Sequence, residues 1–477
     1  MEEKIASTKA KIVDLEMELY GLYEMLNAAS SPMLSLPLEI LVEIFLIASD
    51  VHTHMNPAAR RLPMQLIIGR VCSAWRNAAW NAPSLWRNLR IRVYKGMAHD
   101  QLIKEWLQRS KSQPLDLELH SALALADSPS YPLQVFQPLL EAASQWRRLD
   151  VCGGGYDELQ RAISHTQHHF PLLSAISISN WETRSEDVWD FTLAPQLTEV
   201  HLNHLPAKHL RVEWSKLHSI GGGLAVVDWL FIVEKAAASL DSCNVTFQRG
   251  YPDPDGFMFM YTAVPPDLLF LPKLKHLSFE FTPPHGHTAH DLERILRHIR
   301  TPALRKLQLS LDGADFELFP LLTDLITRSG CQLVQLSIDY PNVQETTLIQ
   351  VLRMLPTLAQ FALASIPGTG LFSDLTISML DPAQLTEGHS TKECLPRLER
   401  LDYIGVIDFT PGKMITMLKN RWNHSLGGND LRGIESITID YGNKSWAQDQ
   451  DPNVMRDFYR ELEAMVELGT DVDISWT

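Results

Sequence analysis

The chain has 477 residues, 45% of them hydrophobic and 21% charged, enough apolar material for a large core and too much for a disordered polymer. At roughly 150 residues per domain the length predicts about three units, unless the chain is a repeat array. A net charge of −15 has the wrong sign for coating phosphate backbones and argues against broad nucleic-acid binding. The five cysteines, Cys72, Cys152, Cys243, Cys331 and Cys394, are odd in number and widely spaced, so they read as reduced thiols. The first residues carry charge throughout, unlike a secretory signal, and the longest apolar stretch, Gly221 to Val233, is interrupted by Asp228. Neither a signal peptide nor a membrane span is expected.

Residues 3–28 repeat with a period of seven. Ile5, Ile12, Leu19 and Leu26 occupy one seam position, and Leu15 and Leu22 the other, where only Thr8 is polar. Residues 1–30 are therefore expected to form a short coiled-coil helix that joins a second copy, packs on the chain's own next domain, or frays. Ser30-Ser31-Pro32 ends the pattern.

After the break, Leu36, Ile40, Leu41, Ile44, Phe45 and Ala48 recur at spacings of three and four, giving an amphipathic helix with Ser35 as N-cap and Pro37 in its first turn. A polar stretch, Asp50 to Arg61, leads to a second apolar block, Leu66 to Trp80, and then to Pro83-Ser84-Leu85-Trp86. The order L-P-x-E-I-L-x-x-I-F, V-C-S-A-W-R-x-x-A and P-S-L-W resembles the F-box domain in the form abundant in mushroom-forming fungi, where a short coiled coil likewise precedes the box. That resemblance implies a small helical module over residues 32–90. It also implies a Skp-type adaptor of a cullin-RING ubiquitin ligase as partner, with Leu36, Pro37, Ile40, Leu41, Ile44, Val71 and Trp75 as the adaptor-binding residues.

Residues 91–145 read as a linker and the start of a repeat region, and 146–477 as the repeats themselves. From Trp146 onward a motif L-x-x-L-x-L recurs at intervals of 20 to 40 residues: for example Leu197-Val200-Leu202, Leu274-Leu277-Phe279, Leu304-Leu307-Leu309, Leu333-Leu336-Ile338 and Leu398-Leu401-Tyr403. Leu217-Ile220 and Leu240-Cys243-Val245 are weaker copies. Helical patterns at Asp291 to Ile299, Leu318 to Thr327 and Thr346 to Leu355 lie between copies. One strand plus one helix per unit resembles the leucine-rich repeat family, and implies an irregular solenoid with a parallel β-sheet. Pro452 to Leu468 reads as an amphipathic helix followed by a short strand, a plausible cap. The fold class is thus α/β: an N-terminal helix, a helical F-box-like module and a solenoid.

The residues between and after the anchors of each strand point to one face, because side chains alternate. Those positions include His201, Glu280, Gln308, Asp339, Asp402 and Asp440, with no Lys or Arg among them. They predict a small, polar, negative groove suited to a protein segment with basic residues.

His285, His287 and His290 with Asp291 are spaced like the H-x-H-x-D-H zinc ligands of metallo-β-lactamase-like hydrolases, but Ala289 stands where that run needs Asp. His165, His168 and His169 form a second cluster. A solvated, His-rich loop explains both, and no metal or other cofactor is expected. Gly153 to Gly155 and Gly221 to Gly223 lack the continuation of a phosphate-binding loop and read as turns at strand ends. The leading expectation is a non-catalytic substrate-recognition subunit of a cullin-RING ligase, cytoplasmic or nuclear. The alternatives are a repeat scaffold without ubiquitin role and, remotely, a metal-dependent hydrolase using the 285–291 run.

Overall fold

A computed structural model describes residues 2–54, 62–93, 100–121, 131–166, 168–179, 187–248, 268–281, 288–311, 318–339, 344–365, 370–384, 395–426, 432–441, 450–467 and 471–475. It is a mixed α/β structure with an N-terminal helix and a large parallel β-sheet. Two compact units divide it: Met1–Ile176 with Asn180–Gln196, and Ser177–Ser179 with Leu197–Thr477.

The first unit begins with a 29-residue helix, α1 (Glu2–Ser30), followed by α2 (Leu38–His54), α3 (Met64–Ile68) and α4 (Ser73–Trp80). A 3-10 turn, Pro83–Trp86, leads into β1 (Asn88–Val93), α5 (Asp100–Ser110), β2 (Leu115–Ser121), α6 (Gln137–Glu141), β3 (Trp146–Cys152) and α7 (Asp157–His165). The first two residues of β4 (Ala175–Ser179) and the short β5 (Trp189–Asp190) come next. β1 pairs with β2, and β2 with β3, all parallel. The sheet thus begins at Asn88, well before Trp146. Trp86-Leu89-Ile91 follows the repeat spacing, but Trp86 also ends the P-S-L-W block, so in the sequence it reads as the close of the F-box-like segment.

The second unit contains β6 (Glu199–Asn203), β7 (Leu210–Arg211), β8 (Ser219–Leu224), α8 (Val226–Ala236), β9 (Ser242–Phe247), β10 (Leu269–Phe270), β11 (His276–Phe281) and α9 (Thr288–His298). It continues with β12 (Ile299–Arg300), β13 (Lys306–Leu311), α10 (Leu318–Ser329), β14 (Gln335–Asp339), α11 (Glu345–Arg353), β15 (Gln360–Ala364), β16 (Gly370–Ser373) and α12 (Asp374–Leu380). β17 (Arg400–Asp408), α13 (Pro411–Leu426), β18 (Ser436–Tyr441), α14 (Pro452–Glu467) and β19 (Asp471–Ser475) complete it. Its sheet runs β6-β8-β9-β11-β13-β14-β15-β17-β18-β19, with β16 beside β17.

Alternation drives this packing. Cys243, Leu277, Leu307, Leu336, Phe361, Leu401 and Ile437 lie in one register row across seven strands, and each is buried. Helices return apolar faces to the same core: Trp229, Ile232, Val233 and Ala236 on α8, and Met455, Phe458, Leu462 and Met465 on α14, at the three-and-four spacing of one helical stripe. The Trp229 and Phe279 rings meet edge-on at 5.4 Å. α13 buries Arg421, whose Nη1 donates to Leu380 O at 3.0 Å and Nη2 to Leu395 O at 2.8 Å, so backbone carbonyls solvate a buried cation.

Gly221 to Gly223 are not a turn. They lie inside β8, and their missing side chains make room for neighbours: a Cβ on Gly221 would stand 2.4 Å from His201 Nδ1, and one on Gly223 2.1 Å from Gln248 Nε2. Gly153 and Gly155, with φ of 102° and 83°, do follow strand β3 as a turn. Cys72 and Cys152 are half-buried, and Cys243 and Cys331 are buried. Among the described residues no helix is long and apolar enough to cross a membrane.

Candidate adaptor-docking and receptor surfaces

On the second unit the strand register gathers the groove residues into rows. Ser278, Gln308, Ser337, Ala362, Asp402 and Thr438 stand side by side. Two residues further along each strand, Thr246, Glu280, Ser310, Asp339, Ala364, Ile404 and Asp440 form a second row on the same face. His201 lies opposite Gly221 on β8, its Nε2 3.1 Å from Glu199 Oε1. Thr246 Oγ1 donates to Glu280 Oε2 at 2.9 Å. Burial raises the Asp339 carboxyl above the ordinary carboxylate range; a hydrogen bond from Ser310 opposes the rise, and the negative charge of Glu280 adds to it. Neighbouring strands are about 4.8 Å apart, so Glu280 and Asp339, two strands apart, sit roughly 10 Å from one another.

The face is not uniformly negative. A third row, one step toward the strand starts, holds His276, Lys306, Gln335, Gln360, Arg400 and Ser436, with Lys306 and Arg400 exposed. Positions counted only from the second apolar anchor onward overlook this row, although alternation puts it on the same side. The surface is therefore graded, cationic at the strand starts and acidic at their ends.

In the first unit, α2 packs on α3, α4 and the Pro83–Trp86 turn. Leu41 and Phe45 point inward, 5% and 2% exposed, and the Phe45 and Trp75 rings meet at 5.0 Å. Trp86 is fully buried: its Nε1 donates to Ala79 O at 2.8 Å, and Gln65 Nε2 donates to Leu85 O at 2.7 Å. Cys72 caps α4 by accepting from Trp75 N at 3.4 Å, and Arg76 Nε donates to Gly69 O at 2.8 Å. The rim of this small core is apolar too. Leu38, Ile40, Ile44 and Ile47 on α2, with Val71 just before α4, remain exposed.

The F-box-like family model matches residues 33–92. Residues 33–92 are an F-box-like domain. No curated protein matches the chain. F-box domains typically bind Skp-type adaptors of cullin ligases. Within this one, Pro37, Ile40, Ile44 and Val71 lie on the surface, Leu36 is half-buried, Trp75 is half-buried against Phe45, and Leu41 faces the core. Leu41 thus packs the F-box-like domain from inside, whereas Leu38 and Ile47 join Ile40 and Ile44 on its exposed rim. Their signal was the helical spacing of α2, apolar on more of its circumference than one buried face requires.

His285 and His287 lie outside the described residues. His165 Nε2 is 3.2 Å from Asp187 Oδ1, and desolvation lowers the pKa of His168. Among the described residues no group of His, Cys, Asp and Glu is arranged to hold a metal ion.

Proposed function

We propose that this chain is the substrate-recognition subunit of a cullin-RING ubiquitin ligase of the Skp-adaptor type. The observation that carries the reading is the exposed apolar rim of the F-box-like domain, Leu38, Ile40, Ile44, Ile47 and Val71, on a module too small to enclose it. An adaptor helix covering that rim would remove it from water. The second unit, in this reading a leucine-rich-repeat-like solenoid, holds the substrate. Its graded face suits a segment that sets basic residues against Glu280, Asp339 and Asp440 and acidic ones near Lys306 and Arg400, so that charge aligns the segment as well as attracting it.

The chain itself does no chemistry in this scheme. Holding a substrate beside a charged ubiquitin donor raises the effective concentration of its lysines, and partners supply the reacting groups. Cytoplasm or nucleus, where such ligases work, is the expected location. Affinity capture with mass spectrometry tests the whole scheme. Deleting residues 32–90 should remove adaptor and cullin while substrates persist, and D339K/D402K should deplete substrates at least tenfold while the adaptor persists. Adaptor capture that survives the deletion would refute the docking role. A scaffold without ubiquitin role predicts no cullin in either sample.

A further inference from the structure

Every described side chain of α1 from Lys4 to Leu26 is exposed, including the seam residues Ile5, Ile12, Leu15, Leu19, Leu22 and Leu26, which are between 48% and 64% accessible. At 1.5 Å per residue, the seam from Ile5 to Leu26 on this 29-residue helix is an apolar stripe about 32 Å long. A stripe with seven-residue periodicity is complementary to another helix with the same period, because each seam side chain then fits between four of the facing helix. A second copy of this chain brings that period by construction.

The flanking charges decide the direction. With Ile5, Ile12, Leu19 and Leu26 at one seam position and Thr8, Leu15 and Leu22 at the other, the seam is flanked on one side by Lys4, Lys11, Glu18 and Met25 and on the other by Lys9, Glu16 and Tyr23. In a parallel pair each residue of the first flank faces the residue five positions later on the second flank of the other helix. Lys11 then meets Glu16 favourably, but Lys4 meets Lys9, and each contact occurs twice. In an antiparallel pair like flanks face each other. Setting Ile12 level with Leu15 of the second copy also sets Ile5 level with Leu22 and Leu19 level with Thr8. That register brings Lys11 beside Glu18 of the second copy and Lys9 beside its Glu16, again twice each, with no like-charge contact. Beside the seam, Lys4, Lys9 and Lys11 lie toward the start of α1 and Glu16 and Glu18 further along, so the antiparallel copy sets one group against the other.

We infer that α1 joins two copies of this chain as an antiparallel helical pair. The ligase reading is not needed for this, since the argument rests on α1 alone.

Sedimentation equilibrium of the full chain at micromolar concentration should give twice the 54.0 kDa chain mass, and L15E/L22E should return the single-chain value. K9E/K11E should weaken the pair roughly tenfold, and adding E16K/E18K should restore it, showing that lost charge pairing and not a broken helix caused the loss. Direction is read by oxidative crosslinking against the parent chain. K11C/E18C should give a covalent dimer and K11C/E16C should not. A single-chain mass for the wild type, a dimer that survives L15E/L22E, an assembly larger than two, or crosslinking through K11C/E16C instead would each overturn the inference.

Discussion

Gly222 has a φ of +100°, and a Cβ built on it would stand 2.3 Å from Leu202 O, inside the packed sheet of the second unit. G222A therefore combines an unfavourable backbone with a clash against a carbonyl that cannot swing away. It should cost about 1–3 kcal/mol or more in urea unfolding. Gly412, near the start of α13, has nothing within 4 Å of its Cβ position, so G412A serves as the comparison and should be neutral or slightly stabilising. At Glu118 the test is pH. The His120 ring, its Nε2 3.5 Å from Glu118 Oε2, is opposed by burial and reinforced by Arg90, and holds this carboxyl at about 2, below its ordinary 4.5. Because the folded state favours the ionised form, its stabilisation is complete above pH 4.5 and fades as pH falls through 2. The difference in melting temperature between wild type and E118Q should thus be largest near neutrality and vanish near pH 2. Equal differences at both ends would refute the assignment. Neither residue's importance could be seen in the chain order, since the Gly221–Gly223 run looks like a turn until His201, Leu202 and Gln248 are placed against it, and Glu118 is marked only by its neighbours on adjoining positions.

Helix α2 carries two apolar jobs. Leu41 and Phe45 close the core of the F-box-like domain, while Ile40, Ile44 and Ile47 lie outside it. Substitutions one residue apart should therefore separate folding from docking. L41A should lower the stability of the first unit by about 2–5 kcal/mol, read by thermal unfolding. I40E/I44E should leave unfolding nearly unchanged yet lose adaptor in a pull-down, and normal adaptor recovery with that variant would exclude this rim as the contact. The period of α2 was plain in the sequence. Which of its apolar residues face inward was not, because that depends on where Trp75, Leu85 and Trp86 stand once α4 and the following turn have folded. The same limit applies to the sheet. Alternation and the recurring leucines revealed most strands of the second unit, and even the weaker copies at Leu217 and Leu240 are complete strands, β8 and β9. β1 escaped because its anchor Trp86 doubles as the end of the P-S-L-W block, and the Lys306–Arg400 row escaped because the motif marks where a strand's apolar pair lies without marking where the strand begins.

At the scale of the whole chain, the described residues form two compact units, the first with an F-box-like domain and the second with a sheet whose strands follow chain order. That order has a consequence for how the second unit is made. Every strand on its main path pairs with strands close before and after it in the chain, so no hydrogen-bond ladder waits for a distant segment to be synthesised. The sheet can be laid down strand by strand as the polypeptide emerges from the ribosome, each new strand finding a finished template. Proteolytic trimming inward from β19 would then shorten the template without unzipping what precedes it, and hydrogen exchange would begin at such an end and advance inward.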